Sequence, residues 1–284
     1  MATAVQNNPS SARLRAMVVP REHGAWGMLF VPLVTGAAAG IHSVGASGMV
    51  ALFAVVALSL FWLRTPVESL FGAGPMRAQT TTETQAVFTA MSILGSLAAI
   101  SLSALFLLGA RSGLLIIGAA SAVAFVAQAG LKKFGRRYYM AAQLIGSIGL
   151  TSTAAAAYYV ATGRLDSTAV ALWGANWLFA GNQIHYVQLR IHAAKLGHTR
   201  EKLQHGATFA IGQFAMAAAI IFAWRAHYLP VLAALAFVPV IVRGFQWFIA
   251  GPQPLAVKRL GWTEMAHAVG FGVLLIAGFL LSAS

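Results

Sequence analysis

Gly113 to Leu131 reads GLLIIGAASAVAFVAQAGL and is followed at once by Lys132-Lys133-Phe134-Gly135-Arg136-Arg137. The run carries no charge. As a helix it is about as long as a hydrocarbon core requires, roughly 20 apolar residues. It stops on four cations within six residues. An uncharged run of this length closed by Lys and Arg is the pattern of a transmembrane helix arriving at the cytoplasmic face.

Working outward in both directions, the pattern repeats. Further apolar runs span Ala25–Ile41, Ala46–Leu63, Ala86–Leu108, Met140–Ala161, Ser167–His185, Gly206–Trp224, Tyr228–Ile249 and Thr263–Ser282. The chain is 59% hydrophobic and 9% charged, with a mean hydropathy of +0.75. A soluble domain carries about 25% charged residues. The predicted fold class is therefore all-α, a polytopic membrane helix bundle of about nine transmembrane helices. Residues 1–19 are expected to be a disordered cytoplasmic tail, and 20–284 a single transmembrane domain. The polar, basic opening does not read as a signal peptide.

Charge sets an expected orientation. With the N-terminus in the cytoplasm, all of the 19 Lys and Arg except Arg111, Arg164 and Arg225 fall in cytoplasmic segments. Such a bias in short loops points to the inner (cytoplasmic) membrane, N-terminus cytoplasmic and C-terminus outside. The net charge of +13 then reflects this bias and attraction to anionic lipid. Nucleic acid is not an expected partner, because the cations cap apolar runs instead of forming a basic arm. The absence of cysteine excludes disulfides, thiol nucleophiles and thiolate metal sites.

Four polar constellations stand against this background. Pro20-Arg21-Glu22-His23-Gly24-Ala25-Trp26 lies at the mouth of the first span; it is either a capping and anchoring segment or part of a site. Arg64-Thr65-Pro66-Val67-Glu68 follows the second span. Its charges could pair at i, i+4, although Pro66 argues against regular helix there; the plain alternative is a solvated loop. Lys132, Lys133, Arg136 and Arg137 suit a phosphate or diphosphate, or merely lipid headgroups. Asn182, His185, Gln188 and His192 recur at helical spacing toward the end of the sixth span. Polar groups at that depth normally face the bundle interior.

Two resemblances attach to these residues. Pro20 to about Val34 resembles the opening of the YwiC-like family of bacterial membrane proteins, with its Pro-basic-Glu/Gln-His-Gly-Ala-Trp motif. The overall plan also resembles UbiA-type prenyltransferases. That family has nine spans, an inside N-terminus and a cytoplasmic-facing cavity, with chemistry in the loops after spans two and six and a basic loop after span four. Lys132 to Leu150 and Asn182 to Arg190 are similar to segments of that superfamily, with Gln188 and Arg190 at matching positions. The departure lies in the acids. Those enzymes hold Mg²⁺ and a prenyl diphosphate on several aspartates, whereas this chain has a single one, Asp166, in an expected outer loop.

The resemblance implies a divergent isoprenoid-lipid binding protein or prenyltransferase. Its ligand would be an isoprenoid diphosphate or a quinone-like lipid drawn from the membrane. In that reading His185, Glu68 and Glu22 are the candidate catalytic groups, the carboxylates holding Mg²⁺ and His185 accepting a proton. Arg64, Lys132, Lys133, Arg136, Arg137, Asn182, Gln188 and Arg190 would bind the diphosphate. The alternative is a non-enzymatic carrier or respiratory accessory protein binding a quinone, a metal or haem, with His23 and His192 as metal ligands beside His185.

Overall fold

The computed structural model describes residues 11–20, 23–45, 48–72, 76–109, 111–194, 196, 198–252 and 255–282. Among them every regular element is helical. Eight segments are long and apolar enough to cross a membrane. In chain order they are α2 (His23–Val44), α3 (Gly48–Phe71), α4 (Thr81–Gly109), α5 (Leu114–Lys133), the pair α6 (Tyr139–Thr151) and α7 (Thr153–Thr162), α10 (Ala207–Arg225), the pair α11 (Val231–Leu235) and α12 (Val238–Ile249), and α13 (Val257–Ser282). The ninth expected span is α8 (Ser167–His192), which has 26 residues but is not among the eight. Asn176, Asn182, Gln183, His185 and Gln188 lower its hydropathy. Two short α-helices, α1 (Ser11–Val18) and α9 (Thr199–His205), and a single 3-10 turn, Arg136–Tyr138, complete the set among the described residues.

The contacts group the chain into two compact units. The first contains α1, α3 and α4. The segment expected to be a disordered tail is helical from Ser11 to Val18, and side chains take up its terminal carbonyls. Trp62 Nε1 donates to Val18 O at 2.7 Å, and Ser69 Oγ to Met17 O at 3.1 Å. These are carbonyls that a helix end leaves without intrahelical partners. Arg13 Nε meets Glu83 Oε1 at 2.5 Å. Glu83 also closes a capping box at the start of α4: its backbone N–H donates to Thr80 Oγ1, while Glu83 Oε2 accepts from Thr80 N, each at 3.2 Å. That reciprocal pair satisfies two donors the helix start would otherwise leave open.

The expectation at Pro66 needs correcting. α3 continues through Pro66 to Phe71, and Arg64 Nε and Glu68 Oε1 form an i, i+4 pair at 2.7 Å. A proline removes one rung of the ladder, but membrane helices tolerate the loss when neighbours satisfy the freed groups.

The second unit contains α2 and α5 through α13. Here α2 packs on α7 through Gly36 and Gly40, spaced as GxxxG. A Cβ on Gly36 would overlap the carbonyl of Ala154, and one on Gly40 would come within 2.7 Å of the Ala161 Cβ. Small residues at this spacing let two helix backbones touch. The opposing face, Ala154 to Ala157, is small and buried. Between α6 and α7, Ser152 Oγ turns back to Gly149 O at 2.7 Å and pairs with Ser121 Oγ of α5 at 2.8 Å, a side-chain bond of the kind that bends helices.

Candidate functional site

α8 supplies most of the site, and the chain's lone aspartate starts it. Asp166 is the N-cap, with Oδ1 accepting from Thr168 N at 3.0 Å and Ala169 N at 3.1 Å. Tyr158 Oη donates to its Oδ2 at 3.1 Å. Asp166 is thus fully used as a cap, a role aspartate fills well. Further along, Trp173 and Trp177 donate their indole N–H to Ile148 O and Leu144 O of α6, both at 3.1 Å. Asn176 Nδ2 reaches Thr35 Oγ1 of α2 at 3.0 Å. These bonds fix α8 against α6 and α2 before the polar stripe begins.

The stripe then divides among different neighbours. Gln188 Nε2 donates to Gln143 Oε1 of α6 at 3.3 Å. Gln183 Nε2 donates to the backbone O of Glu264 on α13 at 2.8 Å. His192 is bound through Nδ1 to Gln188 O of its own helix, at 2.8 Å. Asn182 and His185 instead line a cleft of about 360 Å³ along α8, between α6 and α10.

The cleft is apolar in most of its wall. Leu144, Trp177, Phe209 and Met216 line it, with Gly181 and Gly212 leaving room. His185 stands edge-on to Phe209, ring centroids 5.2 Å apart and planes at 90°. The third polar member is Gln213 of α10. It is fully buried, yet neither Nε2 nor Oε1 has a hydrogen-bond partner. Its amide lies against Gly244 of α12, where a Cβ would approach Nε2 to 2.5 Å. Two unpartnered polar atoms on a buried side chain are costly, about 1–3 kcal/mol each. His185 and Gln213 sit about two turns, roughly 10 Å, inside the ends of their helices, and Asn182 nearly three turns, roughly 15 Å.

Behind the cleft lies a buried ion pair. Arg243 Nη1 contacts both carboxylate oxygens of Glu264, and each side chain is 11% exposed. Nη2 donates to Asn182 Oδ1 at 3.2 Å, and the guanidinium lies 4.0 Å from the centre of the Tyr186 ring. Sequence reading missed Gln213, Arg243 and Glu264 as site residues. Arg243 was counted only as a topology charge. The signal was nevertheless there: Arg243 falls inside the Tyr228–Ile249 run and Glu264 inside the Thr263–Ser282 run, and charges of opposite sign within spans ordinarily pair.

A second cationic contact ties α9 to α12. Lys202 is 2% exposed and donates to Trp247 O at 3.0 Å and Ala250 O at 2.5 Å, carbonyls at the end of α12. Burial, and then the nearby Arg190 charge, push its pKa below the ordinary lysine value.

The other expected site residues lie elsewhere. Lys132, Lys133 and Arg137 are exposed, with Arg137 5.8 Å from the Tyr138 ring centre. Arg190 is half-buried. Among the described residues none of these four lines the cleft. Arg64 and Glu68 belong to the first unit. Glu22 and the side chains of His23 and Arg136 lie outside the described residues. No three His, Asp or Glu among the described residues come together in a way that would hold a metal.

No curated protein and no solved structure matches the chain. A family model described as YwiC-like protein does match, over residues 19–158. The matched stretch therefore carries Leu144 on the α6 side of the cleft but ends before α8, so Asn182, His185 and Gln213 lie beyond it. With an all-helical build and eight membrane-length helices among its described residues, the chain is an integral membrane protein whose residues 19–158 match the YwiC-like family.

Proposed function

We propose that the protein binds a quinone-like lipid in the cleft between α6, α8 and α10, as a carrier or accessory protein of the membrane. Gln213 carries the reading. A buried amide with neither its donor nor its acceptor partnered, on a residue lining an apolar cleft, supports a neutral headgroup bearing oxygen. Asn182 and His185 give two further hydrogen-bonding positions, and Trp177 and Phe209 offer flat apolar surface for a ring. A tail would run along the exposed apolar flanks of α10, where Ile211 and Phe214 face outward.

An isoprenoid diphosphate finds less support at this cleft. A diphosphate calls for cations or Mg²⁺, and among the described residues the lining holds no Lys, Arg, Asp or Glu. A haem draws only on His185 here.

The test is titration of the detergent-solubilised protein with decylubiquinone, reading tryptophan quenching against a Trp177→Phe control together with thermal stability. A ligand bound only by the folded state, at about 100 times its dissociation constant, stabilises by about 2.7 kcal/mol. Saturable quenching that is lost in the control, with an upward thermal shift, is the expected result. No quenching and no shift would remove the quinone reading. A shift produced only by a prenyl diphosphate with Mg²⁺ would replace it with the transferase reading.

A further inference from the structure

The three polar groups of the cleft differ in their freedom. Gln213 has neither amide atom engaged. The Asn182 amide is fixed from behind, because its Oδ1 is taken by Arg243 Nη2 at 3.2 Å. Arg243 in turn is held in place through three helices, two that contact it and its own. Glu264 of α13 binds its Nη1 through both carboxylate oxygens, the Tyr186 ring of α8 lies beneath its guanidinium at 4.0 Å, and α12 carries it. Gln183 fastens α8 to the backbone carbonyl of Glu264, so the donor and acceptor of the clamp share one anchor. What Asn182 has left to offer is its NH₂, a pure donor.

We infer that Arg243 is a positioning residue that holds the Asn182 amide with its NH₂ available to the cleft, so that the site prefers a carbonyl headgroup, the quinone form, over the corresponding hydroxyl form. The inference rests on the reading of the cleft as a quinone-like site. A ligand carbonyl accepts from Nδ2 without conflict. A quinol hydroxyl at the same point finds no acceptor on Asn182, and its proton must be satisfied elsewhere. A polar site left with an unmatched donor discriminates strongly, because an unmade buried hydrogen bond costs more than a made one gains. Were the amide free to turn over, the site would treat both forms alike. The clamp therefore converts an adaptable asparagine into a selective one.

The experiment measures binding of decylubiquinone and of its quinol, kept reduced under anaerobic conditions, to the full-length protein and two variants. The wild type is expected to bind the quinone about tenfold more tightly than the quinol, a difference of about 1.4 kcal/mol. Asn182→Asp keeps an acceptor for Arg243 and removes the NH₂; its preference should vanish or reverse. Arg243→Lys keeps a cation for Glu264 but lacks the planar fork that also reaches Asn182. Its amide can then turn, so the ratio of the two affinities should fall toward one while both ligands still bind. Should Arg243→Lys fail to fold, Asn182→Asp decides alone. An unchanged ratio in the folded variants overturns the inference and leaves the quinone site standing. A wild type that binds neither form overturns both.

Discussion

Gln213 illustrates how a single residue can trade stability for binding. Its amide is buried against Gly244 with both polar atoms unpartnered, and no chain neighbour offers it relief. Gln213→Leu replaces it with an apolar side chain of similar size. The empty protein should gain about 1–2 kcal/mol, since removing an unsatisfied buried group is favourable. Quinone affinity should fall about tenfold or more. Thermal unfolding with and without decylubiquinone reads both effects. A loss of stability in the empty protein would mean that the amide already serves the fold, and the cleft would lose its main polar anchor. The Arg243–Glu264 pair behaves in the opposite way. Glu264→Leu leaves a buried guanidinium unpaired and should cost about 3–5 kcal/mol, whereas Arg243→Met combined with Glu264→Leu should be close to neutral. A double-mutant cycle in detergent unfolding checks this; two single losses that simply add would show that the pair is not coupled.

At the scale of elements, what decides the packing is where backbones touch and how helix ends are closed. Gly36 on α2 sits where a Cβ would overlap the Ala154 carbonyl of α7. Gly36→Ala must push the helices apart and should cost about 1–3 kcal/mol, the usual range for overpacking, while the neighbouring substitution Ala37→Gly should lack this clash. The α9–α12 join makes a prediction about pH. The folded pKa of Lys202 lies below its ordinary 10.5, so between those two values the unfolded chain holds more protons than the folded one. Stability must therefore rise with pH across that alkaline window and be penalised below it. The wild type should show this rise. Lys202→Met should lack it, even though it also loses the bonds to Trp247 O and Ala250 O. Parallel pH profiles would refute the assignment.

The elements also show what the sequence can and cannot convey. The spans were legible because apolar runs and their cationic ends are local signals, and every expected span has a helix beneath it. Pro66 misled because a local breaker rule applies weakly to a helix with neighbours. Asn182 and His185 were found as candidates because the i, i+3 spacing puts them on one face, and they do share a cleft. Gln188 and His192 obeyed the same spacing, yet one turns to Gln143 and the other to its own helix. Spacing gives a face and does not give the neighbour. Gln213 was illegible for the same reason: a lone glutamine in an apolar run becomes informative only when the packing denies it a partner.

For the whole molecule the decisive question is whether α8 crosses the membrane. Eight helices qualify by hydropathy, and eight crossings would put both ends of the chain on one side. α8 fails that criterion through its polar side chains, but hydropathy assumes that each of them faces lipid. Within the second unit they do not. Asn176 is bonded to Thr35, Asn182 to Arg243, Gln183 to the Glu264 backbone and Gln188 to Gln143. Polar groups satisfied inside a bundle carry little of the penalty they would bear in hydrocarbon. At 26 residues the helix is about 39 Å long, ample for a core of about 30 Å. Nine crossings also explain the cations, since only then do all but Arg111, Arg164, Arg225 and the intraspan Arg243 fall on one side. We therefore expect the ends of the chain to lie on opposite faces. A C-terminal alkaline phosphatase fusion should be active, and the matching green fluorescent protein fusion dark. Truncation after His192, one crossing earlier in the alternation than the α10 end, should invert both signals relative to truncation after Arg225. The reverse pattern at the C-terminus would take α8 out of the membrane, and with it the argument that the cleft lies at lipid depth.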